Sequence, residues 1–487
     1  MADETDIDAL LREAAASYES GALAEADAIY CRILAIDPMQ REAVKHHAVI
    51  ASKLGRPDEA LAALDAARRA DPGNAEWPFG RALVLTAAGR RDAAIAAYDE
   101  AIASRPDDLV YRQGRAGLLV AAGRIADALA DHDAILAHRP NLVETHMARG
   151  ALLRQSRRFD KALAAYDRVI EIQEDFAHAW LAKALLLLTL GRYEEGWPLY
   201  EWRWFVPGVA GQERLFAQLM WDGTPFGGRT LYVHIEQGLG DSIQFYRFVL
   251  LAKRFGHVVL GVSEPLAALF ASQPDAPTVV ATGQPMPRID LHCPIMSLPW
   301  LLGITLRTLP AAPYLRADPE RALSWRARLS ALHGRPRVGI AWAGNERHEN
   351  DRNRSMPLRI MLDMLGRDAA VVSLQKDVPE PDRDALRQAT HVLDLSTELA
   401  DLADTAAVIS HLDLVVSVDT VAAHLAGALG KPVWVLLPAV AEWRWLPDRE
   451  DSPWYPSARL FRQENAGDWA SVASRVRDAL RDLGATS

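Results

Sequence analysis

Pro38, Pro72, Pro106 and Pro140 stand 34 residues apart, and this period constrains the chain more than any other feature. Gly21, Gly55, Gly89, Gly123 and Gly191 keep the same spacing, with Arg157 in the one slot that lacks glycine. A second register holds Ala26, Ala60, Ala94, Ala128, Ala162 and Gly196. A third holds Tyr30, Tyr98, Tyr166 and Tyr200, with Leu64 and His132 in the remaining slots. Each register has a physical reason. Glycine ends a helix and lets the chain turn. The small residue lets the next helix pack closely, the aromatic fills the space between neighbouring units, and proline opens the next unit. Such a chain stacks helix–turn–helix units that bury their apolar faces against one another.

The unit resembles the tetratricopeptide repeat, over about residues 4–205. The resemblance implies an all-α superhelix of about six repeats whose concave face takes a protein or peptide; self-association is the other use of such a surface. The last copy runs into Gly196-Trp197-Pro198-Leu199-Tyr200-Glu201-Trp202-Arg203-Trp204-Phe205, with Trp221 beyond. That run is expected to bury Trp202 and Trp204 in a cap against the next domain.

From Thr230 the period changes. Short apolar runs alternate with helical stretches at Leu231–Ile235, Val258–Val262, Val279–Ala281 and Ile289–Cys293. A second series follows at Val338–Trp342, Val371–Leu374, Val392–Leu395, Val415–Val418 and Val433–Leu437. Alternation of this kind predicts parallel sheets covered by helices, here as two Rossmann-like lobes with a cleft between them. The expected domains are 1–205, 206–320 and 321–487.

Polar residues gather where these strands end. Gly238-Leu239-Gly240-Asp241 lies between a strand and a helix; it lacks the third glycine of a dinucleotide fingerprint and the lysine of a P-loop. Asp241 is a candidate general base, or the cap of its helix. In the second lobe Asn345, the donor-dense loop from Glu346 to Ser355 with Arg352 and Arg354, the pair Gln375-Lys376, and Asp419-Thr420 with His424 all fall at strand ends. Asp394, Asp404 and the segments Glu442–Trp445 and Asp451–Pro456 fall there too. Asp419 has the same alternative reading as a helix cap, and His424 as a buried core histidine. Asp382-Arg383-Asp384 has metal-site spacing but no strand before it, and reads as surface charge.

The Gly240-Asp241 turn, the run Asp419-Thr420…His424-Leu425-Ala426 and Gly430-Lys431-Pro432 resemble the lipopolysaccharide heptosyltransferase superfamily, although Val421 stands where that motif usually has glycine. The resemblance implies a GT-B glycosyltransferase fold. Repeats joined to such lobes are similar to protein O-GlcNAc transferases and to bacterial repeat-linked flagellin glycosyltransferases. It further implies inverting, metal-independent transfer from a nucleotide-sugar to a protein acceptor, flagellin being one such acceptor. Asp241 would be the base. Gly240, Asn345, Gln375, Asp419, Thr420 and His424 would lie at the donor, with Arg352, Arg354 and Lys376 on its phosphates. A glycolipid acceptor, or a scaffold that has lost catalysis, is the alternative.

Composition sets the limits. At 487 residues the chain is too long for one ordinary domain. A net charge of −10 argues against broad electrostatic binding of nucleic acid. Cys31 and Cys293 are far apart without metal-ligand spacing, so neither a disulfide framework nor a zinc site is expected. The first residues, Met-Ala-Asp-Glu-Thr-Asp, lack the character of a secretory signal, and no apolar run is long enough to span a membrane. The expected setting is the cytoplasm.

Overall fold

The computed structural model describes residues 6–209, 216–332, 334–345, 351–367 and 369–485; the acidic start and Glu346–Asn350 of the donor-dense loop lie outside them. The chain forms two compact units, Met1–Asp175 and Phe176–Ser487.

The first unit is five antiparallel helix pairs, from Ile7–Glu19 with Leu23–Ile36 to Val143–Gln155 with Phe159–Ile172. Every glycine of the 34-residue register here has positive φ, and Arg157 adopts φ 58° in the missing slot. The turn therefore imposes the left-handed conformation whatever residue fills it. The alanines of the small register are fully buried from Ala26 to Ala162. Tyr98 lies across Gly114 and Tyr166 across Gly150, where a Cβ would collide with the ring.

Successive pairs are joined by a ladder of ions. Arg81 bonds Asp65, Arg115 bonds Asp99 at 2.5 Å and Arg149 bonds Asp133 at 2.6 Å. Each rung links the second helix of one pair to the first helix of the next. Arg115 also grips the buried Asp131 through two nitrogens, at 2.9 and 2.5 Å.

The second unit begins with the helices Ala177–Thr189 and Tyr193–Tyr200. Leu181, Leu188, Tyr193 and Trp197 share one core with the α/β region, so the compact units divide ahead of the expected boundary at 205. The aromatic run differs in part from the expectation. It continues as a 3-10 helix, Glu201–Phe205, whose three-residue turn points Tyr200 and Arg203 the same way. Arg203 is wholly buried; Trp202 and Trp204 are only partly so. Trp202 packs on the edge of the core and stacks on Trp180 at 5.4 Å.

Two parallel sheets follow. Strands β1 (Leu219–Met220), β2 (Thr230–His234), β3 (His257–Val262), β4 (Thr278–Ala281) and β5 (Leu291–Pro294) pair in the order β1-β5-β2-β3-β4. The second sheet has β6 (Arg337–Ala341), β7 (Ala370–Ser373), β8 (Val392–Asp394), β9 (Leu414–Val418), β10 (Val433–Leu437) and β11 (Ala458–Arg462), ordered β11-β10-β9-β6-β7-β8. In that sheet Leu414, Val416 and Val418 face one core with the helices Leu358–Leu365 and Trp469–Ala485. Val415, Val433 and Val435 face the other, with Leu402–Ser410 and Val421–Ala428. Burial on both faces is why these strands read as unbroken apolar runs. Among the described residues no helix is long and apolar enough to cross a membrane.

Arg157→Gly should raise the stability of the first unit by about 1 kcal/mol, the cost of holding a side-chain-bearing residue left-handed, read from urea unfolding at the helical signal. Arg115→Ala leaves the buried Asp131 only the longer contact from Arg112, at 3.5 Å, and should cost about 3 kcal/mol. Arg149→Ala, opposite an exposed aspartate, should cost no more than about 1 kcal/mol.

Candidate functional site

Strand order dictates where ligands can enter. In each sheet the order reverses beside one central strand, between β5 and β2 in the first and between β9 and β6 in the second. Open α/β sheets bind ligands outside the carboxyl ends of the strands at such switch points. The Gly238–Asp241 turn follows β2, the Trp342–Asn345 segment follows β6, and Asp419-Thr420 follows β9.

The first turn is anchored from below. Glu236, just after β2, is buried and takes two bonds from Arg203, at 2.8 and 3.0 Å, and one from the Met296 amide at 3.1 Å. Burial raises its pKa above the usual carboxylate range, against the pull of Arg203. Arg203 is completed by Glu201 at 2.6 Å and Ser297 at 2.8 Å. With its base fixed, the chain turns at Gly238 into the helix Leu239–Ala252. Asp241 sits in the first turn of that helix, and its Oδ2 accepts the Gly238 amide at 2.9 Å. Gly238, not Asp241, holds the cap position, and Asp241 bonds back to it from the third residue of the helix. The other oxygen accepts from Arg444.

Arg444 comes from the opposite lobe, in the 3-10 turn Trp443–Trp445 after β10. It is buried, stacks over Trp443 at 4.5 Å, and donates to Gln244 Oε1 at 2.7 Å and Glu442 at 3.1 Å as well as to Asp241. The surrounding carboxylates of Asp241 and Glu442 outweigh the cost of burying it and hold it charged.

Around the second switch point Asp419 is buried beside His424, whose Nε2 lies 3.6 Å from its Oδ1. Burial alone would raise the Asp419 pKa, but His424 and Arg444 more than offset it and the value is lowered. Asp419 does not cap the helix Val421–Ala428; Thr420 holds the cap position, and its hydroxyl pairs with Ser417 at 2.8 Å. His424 Nδ1 meets the Tyr455 hydroxyl at 2.9 Å, and its ring stacks on Trp445 at 5.5 Å. Arg354 reaches the Asp419 carbonyl at 3.4 Å and crowds Gly344.

The lobes meet here. A Cβ on Gly240 would come within 2.8 Å of His424 Cδ2, so glycine at that position lets the two helices touch. Gly240, Asp241, Arg354, Asp419, Thr420 and His424 are therefore gathered in one place. Others are not. Gln375 spends its amide on the backbone: its oxygen accepts from Trp342 and Ala343, each at 3.1 Å, and its nitrogen donates to Ala343 and Asp377, each at 3.0 Å. Lys376 grips the carbonyls of Leu399 and Ala400. Arg352 and Asn345 are exposed. Asp404 is taken by Arg321 at 2.9 Å, and Asp382, read as surface charge, accepts the Trp342 indole at 2.8 Å. Arg444 and Tyr455 lie in the segments Glu442–Trp445 and Asp451–Pro456 expected at strand ends, but nothing in the sequence assigned either a role.

Residues 379–466, which include Asp419, His424, Arg444 and Tyr455, match glycosyltransferase family 9 (heptosyltransferase); residues 47–108, 114–175 and 147–201 match the tetratricopeptide repeat. The chain carries tetratricopeptide repeats and a family 9 glycosyltransferase domain. Asp241 lies outside the matched segment. The chain is 30% identical to Protein FlbA of Caulobacter vibrioides over 60% of its own length and 53% of that protein's, so it spans about half the length of this curated relative. Among solved structures, MamA is 18% identical with a TM-score of 0.31, covering 34% of this chain and 96% of its own. YrrB, a TPR protein, is 22% identical with a TM-score of 0.31, covering 36% and 91%.

The lowered pKa of Asp419 has a signed consequence. Its stabilising contribution is complete above the unfolded value of about 3.9 and is lost as pH falls through the lower folded value. Asp419→Asn should therefore lower the melting temperature near pH 7, and the gap to the native chain should close below about pH 4. Melts at a series of pH values read this directly.

Proposed function

We propose that the second unit transfers a sugar from a nucleotide-sugar to an acceptor hydroxyl, and that the repeats recruit a protein acceptor. The observation that carries the reading is the meeting of the family 9 segment, through Asp419 and His424, with the Gly240-Asp241 turn at the switch points of both sheets. In this reading the acceptor oxygen attacks the anomeric carbon, the bond from that carbon to the phosphate breaks, and the acceptor proton passes to Asp241. The nucleoside diphosphate leaves. A single displacement of this kind inverts the anomeric centre.

The roles follow from placement. Asp241 has one oxygen on Arg444 and one on the Gly238 amide, which orient it; each oxygen keeps a lone pair for a proton. Arg444 is a positioning residue for that carboxylate. Arg354 and the N-terminal end of the helix Val421–Ala428 stand where the developing phosphate charge would be met. Arginine and backbone thus supply the positive charge that a metal ion supplies in other transferases. Thr420 and His424 complete the donor side. Gln375 and Lys376 serve as scaffold in this reading.

A thermal-shift panel of UDP-, GDP-, ADP- and CMP-sugars tests the donor site. At least one should stabilise the full chain, and none should stabilise a fragment ending at residue 175. Stabilisation by none would favour a scaffold without catalysis. Asp241→Asn retains the capping bond but cannot accept the proton. With the acceptor in hand, transfer should fall roughly 10²–10⁴-fold at nearly unchanged donor affinity. His424→Ala should instead weaken donor binding. Full activity in Asp241→Asn would remove it from the mechanism.

A further inference from the structure

The ionic ladder of the first unit has one position that breaks its own rule. Counting back one period from Asp65 and Arg81 reaches Cys31 and His47. Where later junctions hold a carboxylate and a guanidinium, the first holds a thiol and an imidazole, with Cys31 Sγ 3.6 Å from His47 Nδ1. A second departure lies beside it. The slot filled by Leu61, Ile95, Leu129 and Leu163 holds Asp27 in the first repeat. Asp27 is buried, and its Oδ1 lies 2.8 Å from the same His47 nitrogen. An apolar position and both members of one rung have been exchanged together for sulfur, nitrogen and oxygen donors.

We infer that Asp27, Cys31 and His47 form a zinc(II) site at the junction of the first two repeats. The three donor atoms lie within 4.8 Å of one another. Tetrahedral zinc with bonds of about 2.3 Å to sulfur and 2.0–2.1 Å to nitrogen separates those two ligands by about 3.6 Å, which is the distance between Cys31 and His47. The Asp27–His47 contact must open by about half an ångström for the ion to enter, again from the bond lengths. Asp27 and Cys31, four apart on the helix Leu23–Ile36, share its face; His47 comes from the helix Arg41–Lys53. Arg56 bonds Asp27 Oδ2 at 2.5 Å, which fixes the carboxylate and leaves Oδ1 as the ligand. Cys31 is exposed, so the fourth position opens to water. A thiolate and a carboxylate together balance the charge of the ion. Binding forms the sulfur–zinc bond and releases the thiol proton to solvent; coordination through His47 Nδ1 places the ring proton on Nε2.

The full chain should take up one zinc ion in competition with a chromophoric chelator. Cobalt(II) in its place should give the visible bands of a tetrahedral site and a sulfur-to-cobalt charge-transfer band. Cys31→Ser should abolish the charge-transfer band, and Cys293→Ser should leave it intact. His47→Ala should weaken zinc binding by at least about tenfold, since losing even an outer-shell partner commonly costs 10–100-fold. The combined change Asp27→Leu, Cys31→Asp and His47→Arg restores the repeat's own pattern; it should fold as the native chain does and bind no zinc at this junction. A native chain without the charge-transfer band, survival of that band in Cys31→Ser, or native zinc affinity in the combined variant would each overturn the assignment.

Discussion

Two guanidinium groups, exchanged in opposite directions between the lobes of the second unit, decide how its site is built. Arg444 leaves the second lobe and ends on Asp241 and Gln244 of the first. Arg247 of the first lobe, from the same helix as Asp241, reaches the Trp454 carbonyl of the second at 2.8 Å, besides the Pro310 carbonyl at 2.7 Å and the Tyr314 hydroxyl at 3.0 Å of its own. Both are buried. A buried charge is costly unless its hydrogen-bonding capacity is met, and removing one partner leaves the penalty uncompensated. The stacking of Arg247 over Tyr314, Trp454 and Tyr455 and of Arg444 over Trp443 offsets part of that cost. Each arginine thus completes its hydrogen bonds with groups of the other lobe, Arg444 with Asp241 and Gln244 and Arg247 with the Trp454 carbonyl.

The site inherits its precision from this arrangement. The helix Leu239–Ala252 presents Gly240 and Asp241 toward the site and Gln244 and Arg247 to the join. Arg203 and Glu236 hold the turn before that helix, and Trp454 donates its indole proton to Tyr193 at 2.9 Å, tying in the helix Tyr193–Tyr200. Positioning of the candidate base is thus distributed over residues far apart in sequence, each buried and each with a partner on another element.

The fold was legible because its signals are periodic. Glycine, small and aromatic registers name each helix pair, and the even distribution of apolar residues in β6, β9 and β10 announces strands covered on both faces. β1 escaped because it is two exposed residues long, and β11 because charged residues, Arg459 and Arg462, interrupt its apolar pattern. The site was legible only in part. Asp241, Asp419 and His424 lie beside strand ends in a recognisable motif. Gln375 and Lys376 share that placement, but whether a polar side chain faces a ligand or closes a loop depends on which carbonyls lie near it, and those come from residues far along the chain. The role of Arg444 was hidden for the converse reason: its partners Asp241 and Gln244 are contributed by the other lobe. The Trp202 and Trp204 expectation held only in part: Trp202 packs on the edge of the core, and Arg203 takes the fully buried place because a 3-10 turn decides which face is buried.

The ladder of the first unit joins residues sixteen apart, Asp65 to Arg81, Asp99 to Arg115 and Asp133 to Arg149, and every rung repeats after one period. Excising one whole period from the middle of the array would leave each remaining carboxylate facing an arginine, because the residue brought into place is the equivalent one. Excising a number of residues that is not a whole multiple of the period would part each carboxylate from its arginine across a packed interface. The length of this array is therefore quantised: its electrostatics permit growth or shrinkage by complete repeats and penalise every fraction between.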